Sequence, residues 1–122
     1  MDSAKGHRFI VIEDEMMVLL MIEDMLADLG HEVVGSAATC QQALDLIATQ
    51  SFDAALLDMN LNGEKCGGIA EALAARGIPF IFCTGSDMLD VAPELRGYPI
   101  LHKPFSYEEL VDKVSQLPLR AH

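Results

Sequence analysis

Basic residues, cysteines and long apolar runs are all scarce in this 122-residue sequence, and each shortage excludes something. Lys and Arg number 8 against 19 Asp and Glu, a formal net charge of −11. That balance opposes a phosphate backbone or an anionic lipid surface, so direct nucleic-acid binding is not expected. No Lys or Arg falls between Phe9 and Glu64, whereas eleven Asp and Glu do. The acidity is therefore concentrated in one half, as a solvated face or as a cation site. Cysteine occurs three times, at Cys40, Cys66 and Cys83. With no close pair among them, neither a disulfide framework nor a zinc knuckle is expected, and a reducing, cytoplasmic location fits. The longest apolar run, Met16 to Ile22, has seven residues, far short of the roughly 20 that span a bilayer, so membrane insertion is not expected. Asp2, Lys5 and Arg8 precede a short run that stops at Glu13, which is no signal-peptide core.

What remains is an ordinary globular composition, 51% hydrophobic and 22% charged, on a chain long enough for one domain and too short for two. Apolar runs and helical patterns alternate along it. Phe9-Ile-Val-Ile12 reads as a buried strand, and Glu15 to Leu29 as a helix carrying Val18, Ile22, Met25, Leu26 and Leu29, with Asp14 as its cap and Gly30 as its stop. Val33-Val34 marks a second strand. Thr39-Cys-Gln-Gln42 has capping-box spacing before a stripe of Ala43, Leu44 and Ile47. Phe52 to Leu57 reads as a third strand and Ile69 to Ala75 as a helix stopped at Gly77. Phe80 to Cys83 is the fourth strand. Pro93 and Gly97 interrupt the stretch from Ser86 to Tyr98, so the fourth helix is expected to be short or irregular. Tyr98 to His102 is a fifth strand, placed at a sheet edge because Pro99 cannot donate to a ladder. Ser106-Tyr-Glu-Glu109 opens a last helix with Leu110, Val114 and Leu117 on one face. Five such units, filling roughly residues 8 to 117, predict an α/β domain: a doubly wound five-stranded parallel sheet, flavodoxin-like in strand order 2-1-3-4-5, with helices on both faces.

Ligands of such sheets bind beyond the carboxyl ends of the strands, where strand order reverses. The residues there are Glu13 and Asp14 after the first strand, Asp58 after the third, Thr84 after the fourth and Lys103 after the fifth. Neighbouring first and third strands bring three carboxylates together, which repel unless a cation intervenes. A hard divalent ion, Mg²⁺, suits oxygen ligands and keeps positions open for a phosphoryl oxygen. Lys103 and Thr84 would neutralise and hydrogen-bond the remaining oxygens. Singly, these residues have plainer readings as a helix cap, a turn, a surface charge. Four strand ends supplying the fitting side chain in the fitting order carry more weight than any one of them.

These blocks resemble the receiver domain of two-component response regulators over nearly the whole chain. Phe9-Ile-Val-Ile-Glu-Asp14 is similar to the family's first strand and acidic pair, and Leu56-Leu-Asp58-Met-Asn60-Leu to its phosphoacceptor strand. Cys83-Thr84-Gly85 resembles the switch-hydroxyl strand, and His102-Lys103-Pro104-Phe105 the Lys-Pro signature. The resemblance implies that Asp58 accepts a phosphoryl group from a phosphohistidine. It implies Mg²⁺ held by Asp14, Asp58 and the backbone carbonyl of Asn60, with Glu13 direct or through water. Lys103 would pair with Asp58 and then with the phosphoryl group, Thr84 would move towards it, and Gly85 would leave the approach open. A cis peptide before Pro104 is implied as well. So is a histidine kinase or phosphotransfer protein as partner, docking near the first helix and the loop after Lys103.

Three features depart from the common pattern. Ile100 stands where many relatives carry the aromatic partner of the moving hydroxyl, with Tyr98 two residues earlier on the same strand face. The segment between Thr84 and Lys103 is about a helical turn shorter than usual, and Asn62-Gly63 replaces a proline-containing turn. Met16, Met17, Leu20 and Met21 extend the first helix's apolar surface beyond one face, either under a loop or as an adaptable docking surface. His102 beside Lys103 is a rim residue or a partner contact. The leading expectation is a stand-alone response regulator that is not an enzyme, signalling by onward relay or by protein contacts. A phosphate-independent scaffold is the alternative. An Mg²⁺-dependent aspartyl phosphohydrolase fits poorly because Glu13-Asp14-Glu15 lacks the Asp-x-Asp such enzymes use. A flavin carrier fits worse, since an acidic first loop repels phosphate.

Overall fold

Apolar residues at consecutive positions of the strands are what let the sheet be buried on both sides, and its order follows from that. The computed structural model describes residues 6–58, 60–61, 64–65, 67–85 and 97–119. In chain order the elements are β1 (Arg8–Ile12), α1 (Met16–Asp28), β2 (Glu32–Ala37), α2 (Cys40–Thr49), β3 (Ala54–Asp58), β4 (Asn60–Leu61), β5 (Glu64–Lys65), α3 (Gly67–Ala75), β6 (Phe80–Thr84), β7 (Ile100–His102) and α4 (Tyr107–Ser115). Five strands form one sheet in the order β2-β1-β3-β6-β7, every pairing parallel. Counted by their place in the chain, these are strands 2-1-3-4-5, as expected. The chain therefore reverses direction across the sheet between β1 and β3, where Ile12 lies beside Leu57. The expected fourth helix falls on residues 86–96, outside the described residues.

Alternation within each strand divides the core in two. Ile10, Ile12, Ala55, Leu57, Phe80 and Phe82 pack against Ala43 and Ile47 of α2 and Ile69 and Leu73 of α3. Phe9, Val11, Leu56, Ile81 and Leu101 face Leu19, Ile22 and Leu26 of α1 and Leu110 and Val114 of α4. Each continuous apolar strand thus serves both clusters, which a one-sided sheet would not permit. In α1 the buried stripe is Leu19, Ile22 and Leu26, with Val18 and Met25 only half-buried at its edge.

The helix ends follow their sequence signals with one correction. Gly30 (φ 91°) closes α1, its N–H bonding Ala27 O while the His31 N–H bonds Leu26 O, and Gly77 (φ 69°) closes α3 in the same way. A positive φ is what these positions require of glycine. The capping box of α4 is complete: Ser106 Oγ accepts from Glu109 N–H and the Glu109 carboxylate accepts from Ser106 N–H. The N-cap of α1, however, is Glu15 rather than Asp14, and it makes no side-chain cap; Asp14 is turned into the acidic cluster instead. A second departure is covalent. Cys40 is disulfide-bonded while Cys83 is free and buried, because pairing depends on proximity in the fold rather than along the chain.

A two-histidine contact sits at the opposite end of the sheet. His31 Nδ1 accepts from the backbone N–H of His7 at 3.3 Å, with the rings 5.6 Å apart and Phe9 5.0 Å from His31. Burial, then the nearby His7, lowers the His31 pKa below 6.5, and a protonated ring would lose its acceptor. A depressed folded-state pKa stabilises the fold above the unfolded value and ceases to do so as pH falls through the folded one. Urea titrations of wild type and His31→Gln from pH 8 to pH 5 are therefore expected to show the wild-type advantage shrinking below about pH 6.5. An advantage independent of pH would refute this role for His31.

Candidate functional site

At the carboxyl edge of the sheet the two strands flanking the reversal deliver their carboxylates together. Glu13 and Asp14 leave β1, and Glu13 N–H still bonds Ala37 O as the last tie to β2. Asp58 is the last residue of β3. One carboxylate oxygen from each of Glu13, Asp14 and Asp58 lies within 4.8 Å of the others, and Glu13 and Asp58 are buried. Lys103, just beyond β7, reaches across the sheet edge to both. Its Nζ donates to Asp58 Oδ2 at 2.9 Å and lies 2.8 Å from Glu13 Oε1. The strand edge fixes Lys103 from behind, since its N–H bonds Thr84 O at 2.8 Å.

The electrostatics follow from burial. Loss of solvent pushes the Glu13 carboxyl up to about 7, against the opposing pull of Lys103 and the Glu15 N–H and with the repulsion of Asp58. Burial alone would lower the Lys103 pKa, but hydrogen bonds to Glu13 and Asp58 raise it, so the lysine stays cationic. Among the described residues, one ammonium thus offsets only part of the charge of a pocket of three carboxylates. Glu13 Oε1 meets the Lys103 ammonium at 2.8 Å, and a Glu13 carboxylate oxygen lies within 4.8 Å of Asp14 and Asp58, so its remaining lone pairs are within reach of a shared cation. Three clustered hard oxygens with that spare capacity fit a hard divalent cation.

The other residues singled out in the sequence are distributed around this centre. Thr84 ends β6 beside it and is buried. A Cβ on Gly85 would meet nothing within 4 Å, so the space next to Thr84 is open. Asn60, two residues past Asp58, begins a small antiparallel ribbon in which it pairs with Lys65 and Leu61 pairs with Glu64. The peptide between Lys103 and Pro104 is cis. Tyr98 does not reach the site: its ring stacks on Phe80 at 4.2 Å and meets Phe82 edge-on at 6.3 Å. Ile100 pairs with Phe82 and packs with the same cluster. His102, the register partner of Thr84, is exposed.

A family model described as the response regulator receiver domain matches residues 9–115. The chain belongs to the response regulator receiver family. The receiver fold recurs in the solution structure of SdrG from Sphingomonas melonis Fr1, 38% identical, with a TM-score of 0.81 over 94% of this chain and 97% of that one. A BeF₃-activated conformation of SdrG matches at 36% identity and a TM-score of 0.76, over 92% and 96%. Among curated proteins, the transcriptional regulatory protein PdtaR of Mycobacterium tuberculosis is 26% identical over 117 residues; the match covers 93% of this chain but only 57% of that protein's length. Receiver domains bind Mg²⁺ at an acidic pocket, and Glu13, Asp14 and Asp58 form one here. Among the described residues no helix is long and apolar enough to cross a membrane.

Two features of this receiver site escape a reading of the sequence. The β4–β5 ribbon directly after Asp58 is one, although Asn62-Gly63 between its strands is a strong hairpin dipeptide. The other is Glu15. Its signal is a third acidic residue where a helix begins, at a position that Ser, Thr, Asp or Asn would cap.

Proposed function

We propose that this receiver accepts a phosphoryl group on Asp58 from a phosphohistidine and signals through protein contacts or by passing the group onward. The observation that carries this reading is Asp58 itself: a buried carboxylate at the strand end, 2.9 Å from the Lys103 ammonium, beside Glu13 and Asp14 and next to open space at Gly85. In the transfer a carboxylate oxygen of Asp58 attacks phosphorus, the P–N bond breaks, and the imidazole leaves with the electron pair. Asp14, Asp58 and the Asn60 backbone carbonyl would hold Mg²⁺, with Glu13 direct or through water; the ion, when bound, offsets charge on the phosphoryl oxygens. Lys103 then exchanges its Asp58 contact for a phosphoryl oxygen, and Thr84 hydrogen-bonds a second one. Resident groups thereby shift position at the ends of β6 and β7, and the neighbouring surface carries that change to a partner. The protein acts as a phosphoacceptor rather than as an enzyme on a separate substrate.

The surface of α1 supports a helical protein as donor and partner. Met16, Met17, Leu20 and Met21, in the first two turns of α1 after Glu15, are exposed, Met17 by 80%. Flexible thioethers suit docking of a helical kinase or phosphotransfer protein. The existence of a BeF₃-activated conformation of SdrG supports control by a phosphoryl group. Sporulation initiation phosphotransferase F of Bacillus subtilis, 26% identical and matched over 98% of its length, supports onward transfer as one output.

Intact-protein mass after incubation with Mg²⁺ and acetyl phosphate tests the acceptor. One phosphoryl adduct is expected on wild type and none on Asp58→Asn. An adduct that survives the substitution places the acceptor elsewhere. No adduct on wild type, with acetyl phosphate or with a cognate kinase, turns the reading to a phosphate-independent scaffold.

A further inference from the structure

Glu15 plays no part in the chemistry above, yet it touches the site twice. It is the N-cap residue of α1, with extended backbone (φ −95°, ψ 114°) and no side-chain capping bond. Its backbone N–H donates to Glu13 Oε2 at 3.1 Å. Its carboxylate, on a side chain 66% exposed, stands 4.0 Å from Lys103 Nζ. A single residue thus steadies Glu13 by its main chain and Lys103 by its side chain. Of the carboxylates within 4.0 Å of Lys103 Nζ among the described residues, Glu13 and Asp58 are buried and Glu15 stands in solvent.

That placement has two electrical consequences. The exposed anion draws on the same ammonium that must meet an arriving phosphoryl group. It also repels the donor as it approaches, an effect carried largely through solvent and therefore screened by salt. We infer that Glu15 is a positioning residue that tethers Lys103 at the rim and selects against small, highly charged anionic phosphoryl donors. The inference rests on Asp58 as acceptor. With acetyl phosphate, an Asp58 oxygen attacks phosphorus, the bond from phosphorus to the acetyl oxygen breaks, and acetate leaves with the electron pair.

Initial rates of adduct formation with Mg²⁺ are compared for wild type, Glu15→Gln and Glu15→Asp. Two salt concentrations are used, about 0.02 M and about 0.5 M, between which the screening length falls from roughly 20 Å to roughly 4 Å. Glu15→Gln is expected to react about threefold faster than wild type with acetyl phosphate at low salt, and equally fast at high salt. With phosphoramidate, which carries less negative charge, the low-salt gain is smaller. Glu15→Asp keeps the charge and the wild-type salt dependence, which a merely structural role would not predict. In the metal-free protein, the Lys103 ammonium resonance in ¹⁵N NMR shifts in Glu15→Gln and not in a distant control such as Glu71→Gln. Equal rates at both salts with an unmoved Lys103 resonance, while the adduct still depends on Asp58, overturn the role of Glu15 and leave the acceptor standing. No adduct on any variant removes both.

Discussion

Lys103→Ala is expected to lower stability in metal-free buffer by about 2 kcal/mol and to leave any remaining phosphorylation without effect on partner binding. Lys103 is the cation that Glu13 and Asp58 meet at 2.8 and 2.9 Å, and both carboxylates are buried. Removing one partner of a buried pair commonly costs about 3–5 kcal/mol, because the other is left uncompensated. Here the loss is smaller for two reasons: the lysine is partly solvated, and Glu13, already pushed up to about 7, can take a proton in the variant. Added Mg²⁺ should restore much of the lost stability, since it supplies positive charge to the same oxygens. Urea unfolding with EDTA and with Mg²⁺ measures both effects. A midpoint unchanged in EDTA would mean that the ion pair contributes nothing, and normal phosphorylation-dependent partner affinity would refute the coupling through Lys103.

The arrangement of the sheet is legible because its cause is local. Runs such as Ala54-Ala-Leu-Leu57 and Phe80-Ile-Phe-Cys83 leave no polar face, so they must be covered on both sides, and the observed clusters divide those strands residue by residue. The gathering of Glu13, Asp14 and Asp58 is legible for a related reason: a parallel sheet places all its strand ends at one edge. Contacts between side chains distant in sequence are not legible in this way. Local preference favours Asp14 over Glu15 as the cap of α1, yet Asp14 lies in the cluster with Asp58, which is distant in sequence, and Glu15 begins the helix. The aromatic residue near the fifth strand is similar. Period-two alternation puts Tyr98 on the strand face of Ile100, but only the packed structure shows its ring lying against Phe80, with an interplanar angle of 17°. The Cys40 disulfide belongs to the same class.

Phe80→Ala tests the packing that holds this part of the sheet. Phe80 is fully buried and stands next to Ala55 of β3. Its ring meets Phe82 edge-on at 5.0 Å and lies under Tyr98 at 4.2 Å, so removing it opens a cavity and dissolves an aromatic group of three. The expected loss is about 4 kcal/mol, the lost transfer energy together with the cavity and the ring contacts. For a chain of this size that corresponds to a melting temperature lower by roughly 15 °C. Tyr98→Leu, which keeps apolar contact with Phe80, should cost only about 1 kcal/mol. A Phe80→Ala loss below about 1.5 kcal/mol would show that the neighbours collapse into the space and that the stack is not a support. The phosphoacceptor chemistry should survive in whatever fraction remains folded, because Asp58 pairs with Cys83, three residues along β6 from Phe80. Phe80→Ala and Lys103→Ala thus separate two properties of one sheet: the first weakens the layer that carries the strand ends, and the second alters the charge those ends bring together.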